Sequence, residues 1–234
     1  MRIKVLSFDV WNTLLDIDKF YKILAIKISS LTNRSYEEIY SLLRDTYREA
    51  IRERLSGEFK RIIIDSGSFF AKRLGIDLEV LFKSLIRVML DEEIRDLAYR
   101  DVLKPLEILK NDRYLLSVVG NVMFWPGMVT RYILHLNNLL DLFDLTVFSD
   151  ETGYMKPERE IFKYIAERLG VRLDEIVHIG DSIEHDLVGA VRSGLGAILV
   201  RRDLDVPIIK LGRRIYIINS FDYLEKVVKE IELS

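Results

Sequence analysis

The sequence predicts an α/β fold in three layers, a parallel sheet covered on both faces by helices, with an all-helical insertion near its start. Three observations predict it. Residues 2–8 (RIKVLSF) read as one short apolar strand that ends at Asp9. From about 17 to 100 the apolar residues recur at helical spacing. From about 101 onward strand-like runs alternate with helical ones, the pattern of repeated βα units. The simplest division is an α/β core of residues 1–16 plus 101–234, interrupted by a helical insertion of 17–100.

Within the insertion, Ser35 followed by Glu38 reads as a capping box. Tyr36, Ile39, Tyr40, Leu43, Tyr47, Ile51 and Leu55 then repeat at helical spacing, and Ser56-Gly57 ends the run. A second helix is expected over about 66–74, stopped by Gly75. A third is expected over about 78–97, with Leu78, Leu81, Leu85, Val88 and Met89 on one face. Residues 61–64 (RIII) fit either a helix or a strand. Tyr21, Tyr36, Tyr40 and Tyr47 are expected to pack the insertion's core.

Beyond it, strands are expected at 115–121 (LLSVVGN), 145–149 (LTVFS), 176–181 (IVHIGD), 197–201 (AILVR) and 214–219 (RIYIIN). Helices are expected through Val129, Ile133, Leu136 and Leu140, from Pro157 at the first helical position to Gly170, over 184–193, and from Ser220. The pairs Arg201-Arg202 and Arg213-Arg214 read as solvated strand ends. The three histidines, His135, His178 and His185, form no cluster and read as structural.

Composition excludes several classes. The 35 basic residues nearly balance the 37 acidic ones, which argues against a nucleic-acid partner. With no cysteine there is no disulfide framework, thiolate metal site or thiol nucleophile. Lys4 and Asp9 break the first apolar run, so it does not read as a signal peptide. No apolar run approaches a membrane span. The expectation is a cytoplasmic protein acting on a small molecule.

Chemistry concentrates at strand ends. Asp9 follows the first strand, with Thr13 four residues later. Lys156 follows the third core strand, and Gly180-Asp181 ends the fourth, with Asp186 five residues on. Ligands in open α/β sheets bind at the carboxyl edge of the strands. Carboxylates gathered there are costly unless they pair or hold a cation, and aspartates with open positions suit Mg²⁺.

Through SFDVWNTLLD (7–16), LLSVVGN (115–121), GYMKPEREIF (153–162) and VHIGDSIEHDLVGAVRSG (177–194), the chain resembles the haloacid dehalogenase-like (HAD) hydrolase superfamily. The resemblance implies a Rossmann-like core with a helical cap inserted after the first motif. It implies that Asp9 is the nucleophile of an aspartyl intermediate. Mg²⁺ would be held by Asp9, the main-chain carbonyl of Trp11 and Asp181. Lys156 would orient Asp9, and Asp186 would position Lys156 or a metal-bound water. Asn121 would donate to the transferred group, and Thr13 would hold the loop or bind the substrate. The cap would sit over the site and supply specificity.

Two positions depart from the pattern of phosphatases in that superfamily. Trp11 stands where they carry an acid/base Asp, and Gly120 stands where they carry a Ser or Thr before Asn121. Ser117 alternates to the opposite face and does not replace that hydroxyl. The favoured expectation is a Mg²⁺-dependent phosphatase acting on a small phosphate ester. Trp11 keeps a 2-haloacid dehalogenase open as the alternative, with a catalytically weakened binding or regulatory protein as a further one.

Overall fold

A computed structural model describes residues 2–233, the side chain of Leu55 excepted. The chain divides into two compact units. One is α/β and comprises residues up to Leu15, Ala98–Asn121 and the stretch from Asn138 onward; the other comprises Asp16–Leu97 and Val122–Asn137.

In the α/β unit, β1 (Val5–Phe8) is a four-residue strand buried along its whole length. The run is apolar on both faces, as a central strand of a doubly covered parallel sheet must be. After the inserted segment come α5 (Leu103–Asn111), β2 (Leu115–Gly120), β3 (Leu145–Phe148), α7 (Ser149–Thr152) and α8 (Arg159–Leu169). Then follow β4 (Ile176–Gly180), a π-helical turn Ile183–Val188, α9 (Gly189–Ser193), β5 (Gly196–Val200), β6 (Ile208–Gly212), β7 (Ile215–Ile218) and α10 (Leu224–Leu233). The other unit holds α1 (Ile17–Thr32), α2 (Tyr36–Leu55), α3 (Ile62–Leu74), α4 (Leu78–Met89) and α6 (Gly127–Leu136).

Among the described residues seven strands run in the order β3-β2-β1-β4-β5-β7-β6. All pairings are parallel except the β6–β7 edge hairpin. From β1 the chain proceeds outward through β2 and β3 on one side, then through β4 and β5 on the other. The crevice between β1 and β4 is therefore a topological switch point, where side chains following the strands diverge and leave room for a ligand. On one sheet face, Val5, Val119, Val147, Ile176 and Ala197 pack against Ile161, Phe162 and Ile165 of α8 and Ala190 of α9. On β1, Phe8 carries the alternate face, where it meets Phe143 and Phe221.

The first helix begins where Asp16 accepts hydrogen bonds from the Asp18 and Lys19 main-chain amides, a carboxylate cap at the positive end of the helix. Leu15 bridges to Ala98, so the outgoing and returning strands of the excursion lie side by side within the α/β unit.

Several boundaries differ from the sequence reading. Residues 122–137, grouped with the α/β core from sequence, cluster with the helices, because Phe124 packs on Phe70 and Trp125 on Phe20. The ambiguous 61–64 run opens α3, closed by the Asp65 carboxylate accepting from the Arg61 amide at 2.8 Å. The helix expected to reach 97 stops at Met89, since Asp91 caps a separate short turn over Glu92–Asp96. Ser35 caps α2 through the Glu38 amide, but the Glu38 carboxylate turns to Arg34 instead of closing the box. Of the four tyrosines expected in the insertion's core, Tyr21 is buried; Tyr36 and Tyr40 stack on each other half-exposed, and Tyr47 is half-buried. Pro157 does not open α8: Glu158 takes the position before Arg159, in a turn closed by its amide on the Met155 carbonyl at 2.8 Å. The 184–193 helix is a π turn followed by α9, and β6 was not foreseen at all.

Candidate active site

The loop after β1 carries the first group of site residues. The Asp9 amide donates to the Ile179 carbonyl at 2.8 Å, so the residue leaving β1 stays stitched to β4. The chain then doubles back, with the Leu14 and Leu15 amides both donating to the Val10 carbonyl and Asn12 left-handed at φ 62°. Asparagine is among the few side chains that adopt this conformation at modest cost. The turn buries Thr13 and aims its hydroxyl at Asp9 Oδ2, 3.2 Å away.

Arg202 clamps this loop from outside the motif. Its guanidinium lies 3.9 Å from the centre of the Tyr99 ring, and it donates to the Asn12 and Thr13 carbonyls at 3.0 Å each and to Asp101 Oδ1 at 3.2 Å. From sequence Arg202 reads as a solvated strand end; in the structure its guanidinium is engaged with this loop. No local pattern marks it, because its partners lie about 100 and 190 residues away. Arg214 is likewise engaged, with the Asp174 carbonyl at 2.7 Å, whereas Arg201 pairs with Asp203 near the surface.

Lys156 is the central cation. It is 1% exposed, and its ammonium donates to Asp9 Oδ1 at 2.5 Å and to Asp186 Oδ1 at 2.7 Å. Asn121 holds the Lys156 main chain on both sides: its Nδ2 donates to the Lys156 carbonyl and its Oδ1 accepts from the Lys156 amide, each at 2.9 Å. From sequence Asn121 is expected to donate to the transferred group; here its amide engages the Lys156 main chain.

Asp186 is fully committed. Oδ1 accepts from Lys156 and from His178 Nε2 at 3.0 Å, and Oδ2 accepts from the Ser182 amide at 2.9 Å. The carboxylate reaches this place only because residue 180 is glycine. A Cβ there would fall 2.2 Å from Asp186 Cγ. Gly120 has a comparable reason: a Cβ would fall 2.7 Å from the Phe148 ring, so an aromatic wall occupies the space where a hydroxyl side chain was expected.

One carboxylate oxygen from each of Asp9, Asp181 and Asp186 lies within 4.8 Å of the others. Burial raises Asp9 most; Lys156 pulls it back, and it stays above its ordinary value. Burial also pushes Asp181 up, the Asp9 and Asp186 charges add to the rise, and its carboxyl reaches about 8. Burial opposes the charged form of Asp186 too, but Lys156 and the His178 hydrogen bond outweigh it and hold that carboxyl well below the usual range. Lys156 is pulled down by burial and carried above its ordinary value by Asp186 and Asp9. Three carboxyl groups thus face one ammonium, and the shortage of positive charge shows in the raised Asp9 and Asp181 carboxyls. This all-oxygen donor set with unbalanced charge fits a hard divalent cation. Asp186 is the most heavily engaged of the three, with Lys156, His178 and the Ser182 amide as its partners.

The Gly180→Ala variant tests the packing at this point. It is expected to displace Asp186, strand the Lys156 charge and cost about 3 kcal/mol or more of folding free energy, the scale for breaking a buried ion pair. Denaturant unfolding measures it, and a loss below about 1 kcal/mol would show that Asp186 has room to shift.

Comparison with known proteins identifies the family. The family model described as haloacid dehalogenase-like hydrolase matches residues 3–194. The chain is similar to the glyceraldehyde 3-phosphate phosphatase of Methanopyrus kandleri, 29% identical with 90% of this chain and 94% of that one covered. It is also similar to the protein of the same name from Methanothermobacter thermautotrophicus, 25% identical over 97% of this chain and all of that one. Among solved structures, YfnB of Bacillus subtilis, determined with magnesium bound, matches 97% of this chain and 99% of that one with a TM-score of 0.77 at 19% identity, a likeness of fold. With the family model spanning most of its length, the chain belongs to the haloacid dehalogenase-like hydrolases.

Proposed function

We propose that this hydrolase is a Mg²⁺-dependent phosphatase that cleaves a small phosphate ester through an aspartyl-phosphate on Asp9. The observation that carries the reading is the Lys156 ammonium shared between Asp9 and Asp186, beside a third carboxyl group at Asp181. The two archaeal relatives named for glyceraldehyde 3-phosphate support phosphoryl chemistry and make that sugar phosphate the first substrate to assay.

In this mechanism an Asp9 carboxylate oxygen attacks phosphorus in line, and the bond from phosphorus to the ester oxygen breaks. Lys156 fixes the carboxylate and offsets charge on the phosphoryl oxygens. Thr13 restrains the second Asp9 oxygen, and Arg202 keeps the loop that carries both from opening. Asp186 and Asn121 hold Lys156 by its two ends, ammonium and main chain. Bound Mg²⁺ would be held by Asp9, Asp181 and the Trp11 carbonyl, and would screen the nucleophile from the anionic substrate. Water then attacks phosphorus, releasing phosphate and regenerating the Asp9 carboxylate.

The weak point is the leaving group. Trp11 cannot donate a proton to the departing oxygen, and general acid catalysis is worth about 10²–10⁴-fold in typical enzymes. Esters whose leaving oxygen is already a weak base lose least. A second reading, halide displacement from a 2-halo acid, rests on Trp11, because a halide needs no proton. The acidic trio counts against it, since that displacement has no use for a costly cluster of carboxylates.

Two experiments test the proposal. Phosphate release from glyceraldehyde 3-phosphate and from 4-nitrophenyl phosphate is expected to need Mg²⁺, to stop with chelator and to vanish in Asp9→Asn; activity that survives both treatments rejects it. Binding of Mg²⁺ and vanadate without turnover in the native protein would instead mark a regulatory module. Separately, Trp11→Asp is expected to raise kcat on alkyl phosphates by about tenfold or more while changing aryl phosphate turnover far less. Equal effects on both substrates would show that the missing acid is not what limits the native enzyme.

A further inference from the structure

We propose that His178, with Ser7 beneath it, is a positioning residue that sets the angle of Asp186 and through it the aim of Lys156 at Asp9. The inference rests on the hydrolase reading above, in which Lys156 must point at the nucleophile. Both residues lie inside the segments that carry the family resemblance, at positions with no assigned role, and His178 reads as structural from sequence.

The geometry is a buried chain of hydrogen bonds. Ser7 of β1 and His178 of β4 are direct neighbours in the sheet register, so both side chains leave the same face. Ser7 Oγ lies 2.9 Å from His178 Nδ1, and His178 Nε2 lies 3.0 Å from Asp186 Oδ1. The same Asp186 oxygen receives the Lys156 ammonium, which continues to Asp9. Ser7, His178, Asp186 and Lys156 are each at most 2% exposed. The Phe162 ring stands edge-on to the imidazole at 5.1 Å and closes the remaining side.

The direction of each bond follows from the acceptor at the end. An ionised Asp186 accepts only, so Nε2 of His178 must carry its proton. Burial pulls the His178 pKa below its ordinary value, against the pull of Asp186, so the ring is neutral near pH 7. A neutral ring protonated at Nε2 presents Nδ1 as an acceptor, and the Ser7 hydroxyl supplies the donor. Ser7 thereby selects the tautomer that Asp186 needs.

A neutral donor suits this place for an electrostatic reason. It fixes the rotation of the Asp186 carboxylate without adding positive charge. A cation there would satisfy Asp186 by itself and weaken its hold on Lys156. With His178 neutral, Lys156 remains the counter-ion that Asp186 shares with Asp9, and the ammonium is pinned between the two.

The test compares His178→Leu, which removes the donor, with His178→Gln, which keeps an N–H near the position of Nε2. With 4-nitrophenyl phosphate and Mg²⁺, the Leu variant is expected to lose about 10–100-fold in kcat, the usual scale for an outer hydrogen-bond partner, with KM nearly unchanged. The Gln variant is expected to recover most of that loss. Full kcat in the Leu variant, or equal losses in two variants that melt like the native protein, would overturn the proposal. Should the Leu variant not fold, Ser7→Ala against Ser7→Thr makes the same comparison, with Thr expected to retain kcat and Ala to lose it. The ¹⁵N spectrum of the native imidazole reads the chain independently of turnover. A neutral ring protonated at Nε2 is expected at pH 7, and the other tautomer or an imidazolium would overturn the proposal. A native protein that shows the expected tautomer and releases no phosphate would reject the phosphatase reading while leaving the chain of bonds intact.

Discussion

The structure of the site depends on one ammonium shared between two carboxylates. Lys156 is buried with its charge, which no protein interior tolerates without compensation, and Asp9 and Asp186 supply it from opposite sides at 2.5 and 2.7 Å. The rest of the local architecture follows from keeping those three groups together. Asn121 clasps the lysine main chain, Ser182 and His178 hold Asp186, Thr13 restrains Asp9, and Arg202 locks the turn that carries it. One ammonium does not balance three carboxylates, and this deficit points from a structural ion pair to a cation site. Carboxyl groups held above their ordinary range at Asp9 and Asp181 are the local signature of it.

The fold brings these groups together by topology rather than by proximity in sequence. Asp9 and Asp181 each follow immediately on a central strand, and β1 and β4 are the neighbours between which the winding reverses. Residues 147 and 30 positions apart thus become contacts of Lys156. Close packing then trims what may stand nearby. The absence of a side chain at residue 180 admits the Asp186 carboxylate, and the Phe148 ring claims the volume beside residue 120.

Much of this was legible in the sequence, because short apolar runs punctuated by Asp9, Lys156 and Gly180-Asp181 mark strand ends with chemistry at them. The parallel sheet and the helical excursion after β1 were likewise visible in the change of hydrophobic period. What escaped reading depends on distant partners or on local geometry without a pattern. Arg202 looks like any arginine after a strand until Asn12, Thr13, Tyr99 and Asp101 are brought to it. Strand β6 is a half-exposed edge whose turn at 213–214 is a pair of arginines instead of the glycine or asparagine that usually announces a hairpin. Residues 122–137 join the helical unit through Phe124 and Trp125, whose partners Phe70 and Phe20 no linear pattern reveals. His178 looked structural because a histidine inside a strand usually is, and its importance appears only in what touches both ring nitrogens.

The charge deficit is tested most directly by calorimetric titration of Mg²⁺ into the native protein and into Asp181→Asn, each in two buffers of different ionisation enthalpy at pH 7. A carboxyl pushed up to about 8 carries its proton at that pH, and a cation taking its place must expel it. The native protein is therefore expected to bind Mg²⁺ at one site with release of about one proton, and the variant to bind far more weakly without that release. Binding of equal strength in both proteins, or none in the native one, would contradict the account.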